Sequence, residues 1–257
     1  MSGRGRGDSS ARTGRAGHGG RAAILDELRG LAIVNMIAYH LCYDLVYMHG
    51  FDLPWFRGAW AGAWQEYICI SFIGIAGVCT KLSRRPYIRA FKVCASALLI
   101  TAVTLYAYPS QAIVFGILHC LGASMLIRAL CGRFLGGLPP VAGFAFALLL
   151  ALLTWNVTGG VLGFGSFTVK MPAFLYETAW LFPLGFRNAN FYSADYFPLF
   201  PYLFVFLAGS ACGGLAKRLP PAARRVHIRP LAYLGRHSLL IYLLHQPIAI
   251  ALLGLVF

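Results

Sequence analysis

Charge is scarce in this chain: Asp, Glu, Lys and Arg make up 12% of its 257 residues, and only 8 residues are acidic. Hydrophobic types reach 59%, a balance that soluble domains of this length rarely show, so the integral-membrane class comes first. Paired cysteines are missing too. Cys42, Cys69, Cys79, Cys94, Cys120, Cys131 and Cys212 form no C-x-x-C, and none lies in the long connection 157–196. That argues against a disulfide framework or a zinc site and for packing of small buried side chains. No internal repeat is visible, which weighs against an inverted-repeat transporter. Residues 1–22 lack the apolar core and cleavage site of a signal peptide. Their Gly/Arg/Ser-rich composition predicts a disordered basic tail ahead of one domain, 23–257.

What is present is apolar length. Runs long enough to span a bilayer cover 25–48, 60–80, 91–108, 111–130, 138–156, 197–216 and 238–257, predicting an all-α bundle of about seven transmembrane helices. Charge placement tests this count. With a cytoplasmic N-terminus and an extracytoplasmic C-terminus, 19 of the 22 Lys and Arg residues fall on the cytoplasmic side. Only Arg57, Lys170 and Arg187 fall on the other. This is the positive-inside pattern. The net charge of +14 is explained by the same juxtamembrane residues, without nucleic acid as a partner. The aromatic-rich connection 157–196 is expected at the membrane interface, with stacking on a sugar ring as the alternative.

The first run carries an unusual polar stripe. Asp26, Arg29, Ile33, Met36, His40 and Asp44 share one helical face at ~100° per residue. Lipid does not tolerate such a stripe, so it faces protein or a water-filled cavity. Asp44, four residues after His40, is placed to orient the imidazole as a general base; a polar pair tying helices together is the structural alternative. Glu66 and His119 lie at depths comparable with His40 and would converge with it if their helices adjoin. Pro247 interrupts the last run beside His245 and Gln246, predicting a kink whose polar groups line the inner half of a cavity or satisfy the freed backbone. Arg29 reads either as a local partner of Asp26 or as a phosphate contact. Gly30 would admit a closely approaching helix or ligand. Asp195 reads as an N-terminal cap of the sixth helix.

Four segments together resemble one family: LDELRGLAIVNMIAYH (25–40), FGILHCLGAS (115–124), SADYFPLFPYLFVFLAG (193–209) and LGRHSLLIYLLHQPI (234–248). They are similar to the short bacterial members of the heparan-α-glucosaminide N-acetyltransferase catalytic-domain family, a group of transmembrane acyltransferases, over about residues 21–257. The resemblance implies transfer of an acetyl or acyl group from cytoplasmic acetyl-CoA to an amino-sugar or hydroxyl acceptor across the membrane. It implies no metal, leaves a homodimer open, and points to the bacterial inner membrane. The family's LDxxRG motif falls on Leu25, Asp26, Arg29 and Gly30. An Asn stands at the His40 position in the lysosomal members, whose functional His follows the first helix, where His49 lies here. More distant acyltransferase-3 proteins carry a first-helix His like His40. His40 is favoured as the catalytic residue for its depth and its Asp44 neighbour, with His49 the alternative.

On this reading Arg29 and Arg236 mark a CoA-binding mouth beside Asp26. Glu66, His119, Asp195 and His245 are further substrate-contact candidates. The competing class is a small-molecule or proton-coupled transporter that uses the stripe as its pathway.

Overall fold

The computed structural model describes residues 23–132, 137–216, 220 and 227–257. The expected disordered tail 1–22 lies outside them, as do Arg133 and most of the basic stretch 217–226. The described chain is mostly helical. Five helices are long and apolar enough to cross a membrane: α1 (Ala23–Tyr47), α2 (Ala59–Lys81), α3 (Pro86–Ala107), α5 (Pro140–Thr154, extended to Gly159 by a further turn) and α9 (Ser238–Val256). Two shorter apolar helices lie among them, α4 (Ile117–Leu130) and α7 (Leu199–Ala216). The connection between α5 and α7 holds a two-stranded antiparallel hairpin, β1 (Val161–Phe164) and β2 (Phe167–Lys170), and the single-turn α6 (Phe174–Glu177). A short helix, α8 (Arg229–Arg236), precedes α9. These last features fix two ends of the bundle, a hairpin end and a basic end that holds α8.

Prolines punctuate the chain where a missing N–H costs nothing, in the first turns of α3, α5 and α8. In α7, Phe200 is extended (φ −94°, ψ 125°), so the regular helix begins at Pro201. The hairpin turns at Gly165, whose φ of +58° favours glycine. Its register pairs Val161 with Lys170 and Phe164 with Phe167.

The helices close on one another at glycines. A Cβ on Gly77 would lie 2.1 Å from Phe206 O, and one on Gly209 would lie 2.1 Å from Gly74 O, so the backbones of α2 and α7 touch. This is the small-residue packing that membrane helices use where no hydrophobic drive brings them together. The core between them buries Ile33, Ile73, Leu118 and Phe206. Outward faces of α3, α5 and α9 expose Phe91, Leu98, Val103, Phe146, Leu252 and Leu255, the surface a lipid solvent requires. In the α5–α7 connection, Phe167, Trp180 and Phe174 are also exposed, as interfacial aromatics are.

α4 is about 21 Å long by its 14 residues, short of a ~30 Å hydrocarbon core. Ahead of α4, the irregular stretch 112–116 runs side by side with 193–197. Ala194 N–H donates to Ala112 O at 3.0 Å and Phe197 N–H to Phe115 O at 2.9 Å, while Ser193 Oγ accepts from Val114 N–H at 3.2 Å. Irregular backbone is stable at such depth only when its polar groups find partners inside the protein.

Candidate active site

The polar stripe of α1 is covered along its length by the C-terminal elements. At the basic end α8 lies on α1 so closely that a Cβ on Gly30 would sit 2.0 Å from Leu231 O, and one on Gly235 1.7 Å from Asp26 O. The partner anticipated at Gly30 is therefore a helix. Arg29 Nη1 donates to Gly235 O at 3.0 Å and Nη2 to Cys79 Sγ at 2.8 Å, with Asp26 Oδ1 3.5 Å away. Arg29 thus ties α1, α2 and α8 together and is engaged on all sides by protein. Arg236 is exposed on α8, its Nε donating to Ala232 O within its own helix. Glu27 Oε1 accepts the backbone N–H groups of His227 and Ile228 and so anchors the chain entering α8 to α1.

Toward the hairpin end α9 takes over. Asp44 is 1% exposed and accepts from Gln246 Nε2 at 2.8 and 3.0 Å. The expected pairing of Asp44 with His40 gives way to this interhelical one, because an amide N–H is a donor whatever the protonation state of its surroundings. The His40 ring lies 4.8 Å, centroid to centroid, from that of His245. His245 Nδ1 contacts Tyr242 O at 2.6 Å. A carbonyl only accepts, so Nδ1 carries the proton and, in the neutral ring, Nε2 keeps its lone pair. Among the described residues that buried Nε2 has no partner, nor does Gln246 Oε1. His245 was expected either to line the inner half of a cavity or to satisfy the backbone near Pro247; its Nδ1 takes a backbone carbonyl one turn back, and its ring lies against that of His40.

His40 lines a cavity of about 50 Å³ with Tyr39, Gln65, Cys69, Asp195 and Tyr242 among its walls, room for a few waters or one small group. Neither nitrogen of His40 has a hydrogen-bond partner among the described residues, which leaves the imidazole available to the cavity. Asp195 Oδ2 accepts from Ile117 N–H at 3.2 Å. Asp195 therefore caps α4, not its own following helix, which starts four residues later.

Two expected members of the site lie elsewhere. His119 accepts from Gly116 N–H at Nδ1 (3.2 Å), so its Nε2 carries the proton and donates to Thr101 Oγ1 (3.1 Å), whose own hydroxyl donates to Ile113 O. Both nitrogens are spent on folding the start of α4. Glu66 turns to α7, where both its carboxylate oxygens accept from Tyr202 OH at 3.0 and 3.1 Å. His40, Glu66 and His119 accordingly do not converge. His49 lies beyond α1, its ring 5.5 Å from that of Phe257 and away from the cavity wall.

Glu66 instead belongs to a second pocket of about 290 Å³ at the hairpin end, with Trp155, Asn156, Thr158, Arg187, Tyr196 and Tyr202. The extended segment 195–198 is the wall between the two spaces. Asp195 and Phe197 face the His40 cavity, and Tyr196 and Pro198 face the second pocket, the two-residue alternation of extended chain. Gln65 and Tyr242 join the site beyond the expected residues; Gln246, expected as a polar group beside the Pro247 kink, is there as the partner of Asp44. Gln65 was findable as a polar residue inside an apolar run; Tyr242 is one aromatic among many and carries no such signal.

Comparison with known proteins gives one match. The family model described as Heparan-alpha-glucosaminide N-acetyltransferase, catalytic, covers residues 21–247. No curated protein and no solved structure matches the chain.

Proposed function

Because the chain belongs to the heparan-alpha-glucosaminide N-acetyltransferase catalytic family, a family of membrane acetyltransferases, we propose that it transfers an acetyl group from cytoplasmic acetyl-CoA to an amine or hydroxyl acceptor beyond the membrane. All seven apolar helices cross the bilayer in this reading, with the basic end cytoplasmic. The observation that carries it is His40: an imidazole without a protein partner, facing a small cavity and backed by a second imidazole.

The residues can do the chemistry as follows. His40 takes the proton of the acceptor amine or hydroxyl as its lone pair attacks the thioester carbonyl. The C–S bond breaks, and the proton passes from His40 to the departing thiolate, giving CoA and the acetylated acceptor. An acyl-imidazole on His40, formed by attack of its own nitrogen and discharged to the acceptor, balances equally. Cavity walls of Met36, Ile68, Phe72, Ile117 and Phe197 keep bulk water from the thioester. Arg29 contributes by fixing the basic end, and exposed Arg236 remains the candidate for the phosphates of CoA.

The test is CoA release from acetyl-CoA by purified protein with glucosamine as acceptor. His40→Ala is expected to lower it at least ~100-fold, the scale of general-base loss, while His49→Ala stays within a few fold. Undiminished release in both variants overturns the proposal.

A further inference from the structure

The second pocket holds two opposite charges that do not neutralise each other. Glu66 reaches it from α2 and Arg187 from the connection before α7. Among the described residues Glu66 is bound only by the neutral Tyr202 hydroxyl. Arg187 has no carboxylate within 4.0 Å among the described residues; its guanidinium sits over the Tyr196 ring, 5.9 Å from the centroid. Arg187 is also one of only three Lys or Arg residues expected at this end of the protein. Trp155 supplies a flat apolar wall, and Asn156 and Thr158 supply neutral donors and acceptors. At about 290 Å³ the space is at the lower edge of the ~300–1,000 Å³ range of small-molecule sites.

We propose that this pocket binds a small zwitterion, with a primary ammonium on Glu66 and an anionic group on Arg187. Each charge of the pocket is then satisfied by the ligand, and each charge of the ligand by the pocket. A ligand with one charge leaves the opposite side chain of the pocket without a charged partner and forgoes a charge-assisted hydrogen bond. The wall 195–198 separates this site from His40, so the proposal stands independently of acyl transfer. The same chemistry comes from two sources, a free solute such as phosphoethanolamine or the headgroup of phosphatidylethanolamine.

The experiment measures binding without any acyl donor. Purified protein is titrated calorimetrically with phosphoethanolamine, ethanolamine and inorganic phosphate. In parallel, its melting temperature is compared in nanodiscs of phosphatidylethanolamine and of phosphatidylcholine, whose quaternary amine has no N–H for Glu66. The expected result is at least ten-fold tighter binding of phosphoethanolamine than of either fragment, lost in Glu66→Gln and in Arg187→Gln and kept in His40→Ala. A melting advantage in phosphatidylethanolamine alone, with the same sensitivity to both variants, assigns the site to the lipid headgroup. No preference in either arm, or a preference that survives both variants, overturns the proposal. Glu66→Gln keeps an acceptor for Tyr202 and Arg187 is exposed, so both variants fold.

Discussion

Replacing Gln246 with Leu removes the side chain that holds the Asp44 carboxylate, and the size of the effect follows from where the pair sits. Asp44 is 1% exposed and its two contacts are 2.8 and 3.0 Å. In a soluble core, a carboxylate stranded this way costs about 3–5 kcal/mol. Hydrogen bonds between membrane helices couple far less, ~0.6 kcal/mol on average and ~1.7 at most, because the unfolded segment finds other partners. Asp44 lies three residues from the end of α1, near the interface, so the membrane scale applies, at its upper end because one partner is a carboxylate. The coupling expected is therefore about 1–2 kcal/mol. Only 6% of the spanning window of α9 is buried, so little other packing dilutes it. A double-mutant cycle of Asp44→Leu, Gln246→Leu and both, read by unfolding in mixed micelles, measures it. The double variant should be more stable than Gln246→Leu alone, since two apolar groups leave nothing stranded. A coupling below ~0.5 kcal/mol, the level of independent sites, refutes the reasoning.

Gly235→Ala places a methyl 1.7 Å from Asp26 O, forcing α8 off α1 and stretching the Arg29 bond to Gly235 O. Overpacking of this kind costs about 1–3 kcal/mol, which thermal unfolding would register, with faster hydrogen exchange in α8 marking where the damage lies. Unchanged exchange there would mean that α8 is not held by this contact.

Much of the helical framework was legible because lipid imposes a simple rule on composition. The run 238–257 became Ser238–Val256 almost unchanged, and 197–216 became Leu199–Ala216. The third run began late, since the first turn of α3 at Pro86 carries Arg89 and hydropathy does not register a polar turn. The fourth began early, at 111, where a 3-10 turn and the irregular stretch 112–116 precede α4: apolar composition does not separate helix from irregular chain whose backbone is paired within the protein. The hairpin has a local signal, Gly165-Ser166 between two β-favouring runs. α8 was hidden by its length of eight residues and its Arg termini, which read as a basic loop. Partner choice was the least legible level. Whether Asp44 meets His40 on its own helix or Gln246 on another depends on which faces meet, and spacing along one helix does not contain that.

The four segments that carry the family resemblance resolve in three dimensions into two pairs. FGILHCLGAS and SADYFPLFPYLFVFLAG meet where 112–117 and 193–197 exchange backbone bonds and Asp195 caps α4. LDELRGLAIVNMIAYH and LGRHSLLIYLLHQPI meet along α1, where Gly235 closes on Asp26, Arg29 reaches Gly235 O, and His245 and Gln246 meet His40 and Asp44. A polar stripe about 27 Å long (18 residues at ~1.5 Å each) is stable in a membrane only if protein covers all of it. Here the last helix pair does so, apart from the gap at His40 that opens to the cavity. Asp195, from the other pair, lines that same cavity. The cavity is thus the point at which the two pairs meet, and His40 is the stripe residue that neither pair fully covers.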